Sequence, residues 1–322
     1  MNVRQRDLGE TETEKRVMYY GKGDVFVYRT YAEPLTEIIP IPESSFTGKD
    51  NVIFGMDIQV ALKGDAFLTS FTEGDNSLVI ATDSMKNFIL YHAGEYQGAT
   101  LEGFLDYVGR AFLERYAHIS GVELSGTQFP FKPVDVPGED GNLVPSATVY
   151  REGILEKPYA AVELSRGDNR EYVTKSRQSG ITDLHLIKVN GSSFAGFIQD
   201  EFTTLPETED RPLFIYLNIY WRYNVLTERY VPAEHIRDIA QTVFHKLDSP
   251  SIQKLIFDIG KQILERFPQL AEVSFESNNR TWEVFLEDVP GSSGGKVYTD
   301  PRPPYGFQSF TVFPEDVEKD KL

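Results

Sequence analysis

The stretch TLEGFLDYVGRAFLERYAHISGVEL at residues 100–124 is matched by SIQKLIFDIGKQILERFPQLAEVSF at residues 251–275, and the two align without a gap. The alignment pairs Gly109 with Gly260, shares a Leu-Glu-Arg triplet, and matches mostly similar residues elsewhere. Internal similarity at a fixed separation of 151 residues indicates a duplicated supersecondary unit. We therefore predict that the chain contains two copies of one fold.

Each copy follows the order strand, strand, helix, helix, strand, strand. In the second copy, PLFIYLNIYWRY (residues 212–223) alternates between apolar and mixed side chains, which is typical of a strand with two different faces. Apolar residues then recur at helical spacing from Ile236 to Phe267, with a break and a new N-cap at Ser249-Pro250-Ser251. The following AEVSFES is again predicted as a strand.

The first copy has the same order of elements. Its strands are predicted near residues 16–30, 52–62, 119–131 and 146–164, its helices near 83–95 and 101–116, and a loop from Pro133 to Pro145. This order favours an α+β fold, in which an antiparallel sheet carries two helices on one face. The predicted domains comprise residues 1–166 and 167–322. The uncovered sheet faces and open sheet edges suggest closure by oligomerisation.

The composition excludes several classes of protein. A net charge of −17 argues against nucleic-acid binding and against docking on an anionic membrane, and no run is long enough to span a bilayer. The chain has no cysteine, which excludes disulfides, thiolate nucleophiles and Cys-based metal sites. None of the five histidines belongs to a metal-ligand pair, so no metal is expected. Met1 to Arg16 lacks the apolar stretch of a signal peptide, and a cytoplasmic location is expected.

Seven short motifs carry more specific information. They are YGKGDV (20–25), FTEGDNSLVIATDSMKN (71–87), SSFAGF (192–197), DEFTTLPETEDRP (200–212), SPSIQ (249–253), ILERFPQL (263–270) and PRPPYGFQ (301–308). In this order and spacing they resemble urate oxidase, over nearly the whole chain. The resemblance implies tandem tunnelling-fold (T-fold) domains and a homotetramer with active sites at subunit interfaces. It also implies oxidation of urate by dioxygen and water to 5-hydroxyisourate and hydrogen peroxide, without a metal or organic cofactor.

Three residues of the first copy belong to these motifs. Lys22 lies between two glycines, as a turn lysine does, and Thr82-Asp83 precedes a helix, as an N-cap does. The resemblance implies that Lys22 and Thr82 form a proton relay, for which the lysine needs a lowered pKa. It further implies that the backbone beside Asp83 touches substrate bound mainly by a neighbouring subunit.

The second copy carries the residues that the resemblance assigns to substrate binding. By residue type alone, Phe194 fits a core position and Arg211 a surface ion pair. The resemblance implies that Phe194 stacks on the purine and that the guanidinium fork of Arg211 holds the urate anion. It also makes Leu205 and Ile252 apolar pocket residues, and it pairs Gln253 with the substrate edge opposite the arginine.

The duplication adds information about Gln253, which is otherwise read as a helix N3 or capping residue. Its partner in the first copy is Glu102. A carboxylate would repel a urate anion, whereas an amide can donate and accept at once. This difference supports Gln253 as a substrate anchor.

The sequence departs from the family pattern at one place. The family usually has Asn-x-His before an aromatic residue, and here Asn278 matches the residue that contacts the oxygen or water site, while Arg280 replaces the histidine. Because arginine cannot shuttle protons, the Lys22–Thr82 pair would have to suffice, with Arg280 orienting it electrostatically. We expect an altered pH dependence.

Two other functions remain open at this point. Other T-fold enzymes acting on pterins or purines use zinc or a catalytic cysteine, which the absence of cysteine disfavours. A non-catalytic oligomeric purine-binding protein remains an alternative because of Arg280. The C-terminal Asp320-Lys321-Leu322 differs from the peroxisomal Ser-Lys-Leu signal and is not interpreted as one.

Overall fold

The computed structural model describes residues 17–153, 155–167, 171–224, 229–248, 250–280, 282–299 and 303–319. Several features considered in the sequence lie outside the described residues, namely Met1 to Arg16, Ser249, Pro301-Arg302 and the C-terminal Asp320-Lys321-Leu322.

The first copy contains the strands and helices that its hydrophobic pattern predicts, with a hairpin added. Its strands are β1 (Tyr19–Thr30), β2 (Ile53–Lys63), β3 (Gly121–Phe129), β4 (Phe131–Pro137), β5 (Leu143–Glu152) and β6 (Lys157–Arg166). Its helices are α1 (Leu68–Thr72), α2 (Thr82–Glu95) and α3 (Leu101–Arg115).

The second copy repeats this order. Its strands are β7 (Tyr172–Lys188), β8 (Leu213–Tyr223), β9 (Leu270–Arg280), β10 (Val284–Leu286), β11 (Val297–Tyr298) and β12 (Gly306–Val312). Its helices are α4 (Ala233–Lys246), α5 (Ile252–Arg266) and α6 (Pro314–Lys319).

Within the described residues, both copies contribute to one continuous antiparallel sheet in the order β1-β2-β3-β6-β7-β8-β9-β12. The helices α3 and α5 pack on the last strands of their own copies, α3 on β3 and β6, and α5 on β9 and β12. The predicted α+β fold, in which each copy contributes an antiparallel sheet with two helices packed on it, is confirmed. The boundary between residues 166 and 167 stays a prediction, and it falls at the end of β6.

Each copy has its own hydrophobic core between its helices and its half of the sheet. Met56 of β2 and Phe104 of α3 are fully buried in the first core, and Ile215 of β8 and Ile259 of α5 are fully buried in the second. These residues belong to the alternating strand faces and helical stripes visible in the sequence, because burial of one face is what stabilises each element.

The duplicated glycines have the same packing role in both copies. A Cβ on Gly109 would lie 2.5 Å from Leu164 Cδ1, and a Cβ on Gly260 would lie 2.5 Å from Val312 Cγ2. In each copy the side chain that fills this space comes from the last strand of the unit, β6 or β12. Glycine therefore allows α3 and α5 to approach the sheet closely, which explains its presence in two otherwise regular helices.

The loop predicted from Pro133 to Pro145, and the single strand predicted near 146–164, were wrong. The chain instead leaves the main sheet as a β4–β5 hairpin, turns at Gly138 to Gly141, and returns as β6. Proline lacks the N–H that a strand ladder needs, so this segment has the local signature of a loop. A two-stranded hairpin tolerates it, because each strand bonds on one side only.

Candidate active site

Lys22 lies on the helix-bearing face of the sheet. It is directly opposite Val60 of β2, which is buried in the first core, and directly opposite residues of an antiparallel pair share a face. The pairing of β1 with β2 shifts immediately after Lys22, where Asp24 has a φ of 53°. This bulge ends the regular strand next to Lys22, a place where bulges often direct side chains.

Thr82 and Asp83 form the exposed first turn of α2. The N-cap is Ala81, so the interpretation of Thr82-Asp83 as a capping pair was wrong. The hydrogen bond from Lys86 lowers the pKa of the Asp83 carboxyl, and the charge of Lys22 lowers it further. Lys22 and the start of α2 are therefore neighbours, as the proposed relay needs.

Tyr20 connects these two elements. Its hydroxyl accepts a hydrogen bond from the backbone N–H of Ile80 at 2.7 Å, two residues before Thr82. It also packs edge-on against the buried ring of Phe67. Because Tyr20 and Lys22 point to the same face of β1, this contact fixes the distance of the lysine from the start of α2.

The connection between β7 and β8 spans residues 189–212, which is long enough to be typical of a functional loop. It folds back on itself through a pair of hydrogen bonds between Phe194 and Thr208, at 2.8 and 3.0 Å. A further bond runs from the Arg211 N–H to the Ser192 carbonyl at 2.9 Å. These contacts place Phe194 beside Arg211, although 17 positions separate them in the chain.

Arg211 has an unusual environment for a charged residue. Its Cζ lies 5.2 Å from the centre of the Phe194 ring, and burial lowers the pKa of its guanidinium. Its buried Nε has no hydrogen-bond partner among the described residues. A buried donor without an acceptor costs free energy unless a ligand or partner completes it. The surface ion pair that the residue type alone favours is not formed within the described chain.

Phe194 packs face to face with a second aromatic ring. The rings of Phe194 and Phe197 lie 4.8 Å apart with an angle of 15° between their planes. Phe194 remains partly accessible, so it is not the fully buried core residue that its type suggests. Leu205 lies on the same loop and is 43% exposed.

The start of α5 presents the next two predicted residues. Ile252 is buried in the second core, whereas Gln253 is exposed at the second helical position. Ser251 is the N-cap and accepts from the Lys254 N–H at 3.2 Å, so Gln253 is neither the N3 residue nor the cap. The Gln253 carboxamide has no hydrogen-bond partner within the described part of the chain and is free to bind a ligand.

The repeat partner of Gln253 is engaged differently. Glu102 accepts a hydrogen bond from the Ser179 hydroxyl at 2.7 Å, and burial raises the pKa of its carboxyl. Ser179 belongs to β7 of the second copy, so this contact joins the two halves of the sheet. The first copy therefore uses the equivalent position for internal packing, and the second leaves it open.

The two functional candidates on β9 lie on the face of the sheet without helices. Asn278 is opposite Tyr216 and Arg280 is opposite Phe214, both outside the buried face of β8. The Arg280 Cζ lies 4.3 Å from the centre of the Tyr216 ring and 5.6 Å from that of Tyr305. The structure thus does not bring Asn278 and Arg280 together with Gln253 within one chain.

Asn279, between these two residues, points the other way. It is opposite Ile215, which is fully buried beneath the helices, and opposite Gly306 on β12. Asn279 was not predicted as a site residue from the sequence motifs. Counting by two from the apolar Val273 and Phe275 would have placed it on the helix-bearing face.

The candidates form two groups that are far apart in a single chain. Lys22, Thr82 and Asp83 belong to the β1 edge, whereas the residues around Arg211 and Gln253 belong to the other half of the sheet. Six strand spacings separate β1 from β9, which corresponds to roughly 29 Å along the sheet at about 4.8 Å per strand. No hydrogen bond or ion pair joins the two groups among the described residues.

No three His, Asp or Glu side chains in the described part of the chain come together as metal ligands would. No helix among the described elements has the length and apolar character to cross a membrane.

Comparison with known proteins identifies the family. A family model described as Uricase matches residues 18–163 and 177–309. The chain is 52% identical to the uric acid degradation bifunctional protein PucL of Bacillus subtilis (strain 168), over 98% of this chain but only 64% of that relative, so it spans less than two thirds of that protein's length. It is 51% identical to a uricase of Haloferax volcanii, over 94% of this chain and 100% of that one. A solved uricase structure from Bacillus fastidious matches with a TM-score of 0.90 and 53% identity, over 95% of this chain and 97% of that one. The chain belongs to the uricase family.

Proposed function

We propose that this protein is a urate oxidase that converts urate, dioxygen and water to 5-hydroxyisourate and hydrogen peroxide. The observation that carries the proposal is the pairing of Arg211 with Phe194, where a buried guanidinium donor without a partner lies beside a flat aromatic ring. Such a pair suits a planar anion, since the ring stacks on it and the fork binds its edge. Urate is an anion of this shape, and the uricase relatives are named for it.

Gln253 binds the opposite edge of the urate in this proposal. Its free carboxamide offers one donor and one acceptor, which matches a ring edge that carries N–H and C=O groups. Leu205 and Ile252 contribute the apolar surroundings. Glu102, held by Ser179, makes the equivalent position of the first copy unsuitable for an anion. This accounts for one urate site per chain rather than two.

The chemistry requires a dianion that transfers electrons to dioxygen. Lys22 removes a second proton from urate through Thr82 and a water molecule, and Asp83 contributes its backbone. The two electrons that reduce dioxygen to peroxide come from the ring, which takes up the water oxygen at C5. The atoms and electrons balance without a metal or an organic cofactor. Arg280 lies on the face of the sheet without helices and acts through its charge alone. The family resemblance assigns Asn278 to the oxygen site.

A complete site requires a second copy of the chain, because Lys22 is roughly 29 Å from β9 within one chain. Among the described strands, β1 and β12 each pair on one side only. The eight strands alternate in direction, so β12 of one copy can pair antiparallel with β1 of another and extend the sheet. This arrangement would bring Lys22 of one copy within two strands of β9 of the next. A homotetramer closed in this way, located in the cytoplasm, is part of the proposal.

The test uses the whole protein with urate, dioxygen and an excess of chelator. Oxygen uptake, loss of urate absorbance and peroxide formation are followed together, and all three should proceed at matched rates without added metal or flavin. Urate binding without peroxide would instead favour a non-catalytic purine-binding oligomer. A strict requirement for an added metal or flavin would reject the cofactor-free mechanism.

A further inference from the structure

The segment between α1 and α2 leads directly into Thr82 of the proposed relay. Residues 73–78 of this segment are exposed and belong to no helix or strand. Its internal hydrogen bonds are short-range, such as the bond from the Val79 N–H to the Asn76 carbonyl at 3.0 Å. The first buried residue of the segment is Ile80, which is 7% exposed. Since burial does not fix the rest of the segment, contacts from other elements set where its end lies.

Two side chains from other elements hold this end. The Tyr20 hydroxyl of β1 accepts from the Ile80 N–H at 2.7 Å and donates to the Ile80 carbonyl at 3.3 Å. His118, between α3 and β3, places its Nε2 at 2.9 Å from the Leu78 carbonyl oxygen. An N–H can only donate and a carbonyl oxygen can only accept, so the direction of each bond is fixed and His118 carries a hydrogen on Nε2. These three hydrogen bonds form the Tyr20–His118 clamp.

The clamp is anchored in the first hydrophobic core. Tyr20 and His118 both pack edge-on against Phe67, with ring centres 4.7 and 5.7 Å away and angles of 86° and 82° between the planes. Phe67 is fully buried. Because edge-to-face contacts favour one arrangement of the rings, the core determines where the hydroxyl and the imidazole nitrogen lie. Buried groups thereby set the position of a segment that is itself exposed.

The clamp lies two residues ahead of both members of the proposed relay. Lys22 follows Tyr20 by two positions on the same face of β1. Thr82 follows Ile80 by two positions, and Ala81 between them is extended, with a φ of −56° and a ψ of 136°. Proton transfer needs heavy atoms within about 2.6–3.2 Å of each other, and a displacement of about 1 Å can lower a rate by about 100-fold. A relay is therefore sensitive to the distance that the clamp holds.

We propose that Tyr20 and His118 are positioning residues for the proposed urate oxidation, which act through the backbone of residues 78–80 to hold the Thr82 hydroxyl within reach of Lys22. This inference rests on the proposed function. Both side chains are directed at backbone atoms, so neither touches urate or dioxygen. The proposed substrate anchors belong to the second copy. Loss of the clamp should therefore slow proton transfer and leave urate binding largely unchanged.

The first experiment compares Tyr20→Phe, which removes the hydroxyl but keeps the ring, with Tyr91→Phe. Tyr91 is the matched control, because it lies on α2 itself and its hydroxyl bonds to Glu95 on the exposed side of the helix. We expect Tyr20→Phe to lower kcat by about 10-fold or more, and to change the dissociation constant of urate under nitrogen by less than about 3-fold. The solvent deuterium isotope effect on kcat should rise, whereas Tyr91→Phe should behave as wild type. Wild-type kcat in Tyr20→Phe would overturn the proposal.

The second experiment tests the hydrogen bond of His118 by rescue. His118→Gln keeps a donor at Nε2 and His118→Leu has none, while both variants lose the ring contact with Phe67. We expect His118→Leu to lower kcat by about 5-fold and His118→Gln to keep about half of the wild-type kcat or more. Equal kcat values in the two variants would show that the bond to Leu78 has no effect on turnover, and would reject the role of His118.

Amide hydrogen exchange separates positioning from stability. Tyr20→Phe should accelerate exchange in the peptide that contains residues 78–83, while exchange in β2 of the first core stays slow. Faster exchange with wild-type kcat and isotope effect would show that the clamp is only structural, and would reject the proposal. If wild type itself does not oxidise urate, the proposed function fails and this inference fails with it. An active wild type with an equally active Tyr20→Phe variant rejects this inference alone.

Discussion

Replacing Arg211 with alanine tests the substrate anchor most directly. Two magnitudes are available for an arginine that pairs with an anion. An exposed ion pair contributes about 0–1 kcal/mol, whereas truncation of one member of a desolvated pair costs about 2–5 kcal/mol. The structure favours the second magnitude, because Arg211 is half-buried, its Nε has no hydrogen-bond partner in the described part of the chain, and burial lowers the pKa of its guanidinium. We therefore expect the larger effect, a weakening of urate binding by about 30-fold or more.

The assay is calorimetric titration of urate under nitrogen, where binding proceeds without turnover. Arg211→Lys is the matched control, since it keeps the positive charge but loses the planar fork, and it should bind urate with intermediate affinity. The free energy of unfolding of Arg211→Ala should change by less than about 1 kcal/mol, because within the described residues the guanidinium has a cation–π contact with Phe194 and no partner for its Nε. An unchanged dissociation constant in a folded Arg211→Ala protein would refute the role of this residue.

Three further predictions concern the relay, the packing and a buried acid. Lys22→Met should remove most turnover while leaving urate binding under nitrogen intact, and a near-normal kcat would reject the relay. Gly260→Ala should lower the free energy of unfolding by about 1–3 kcal/mol in chemical denaturation, because its Cβ would lie 2.5 Å from Val312 Cγ2; wild-type stability would contradict this packing. For Glu102, burial raises the carboxyl pKa above its ordinary value of 4.5, so the folded state binds the proton more tightly than the unfolded state. Wild-type stability should therefore fall relative to Glu102→Gln as the pH rises from 4.5 through that raised pKa, and a pH-independent difference in unfolding midpoint would contradict it.

Local patterns in the sequence account for most of the secondary structure. The alternation in β8 and the apolar stripe of α5 each predict an element from its own residues, and Thr100 and Ser251 cap their helices at equivalent positions of the two copies. These features follow from short-range geometry, since a period of two or of 3.6 residues determines which side chains share a face. The β4–β5 hairpin was missed because its prolines conceal the strand pattern.

Part of the candidate site was likewise predictable from the sequence. Sequence motifs identified the residue types that a urate site needs, including Lys22, Arg211 and Gln253, and the duplication distinguished Gln253 from Glu102. The alternation along β9 also contained the information that Asn279, and not Asn278, lies on the helix-bearing face. The motif match pointed to Asn278 instead, because a match of residue types carries no information about which face of a strand a side chain occupies.

Other features depended on the tertiary structure alone. The contact of Gln308 with Asn279 joins residues 29 positions apart, and it exists because β12 returns beside β9. The pairing of Arg211 with Phe194 depends on how a long loop folds back on itself. Likewise, six strand spacings between β1 and β9 follow from the order of the whole sheet. Strand order and loop closure depend on contacts between distant segments, and no period within a single segment encodes them.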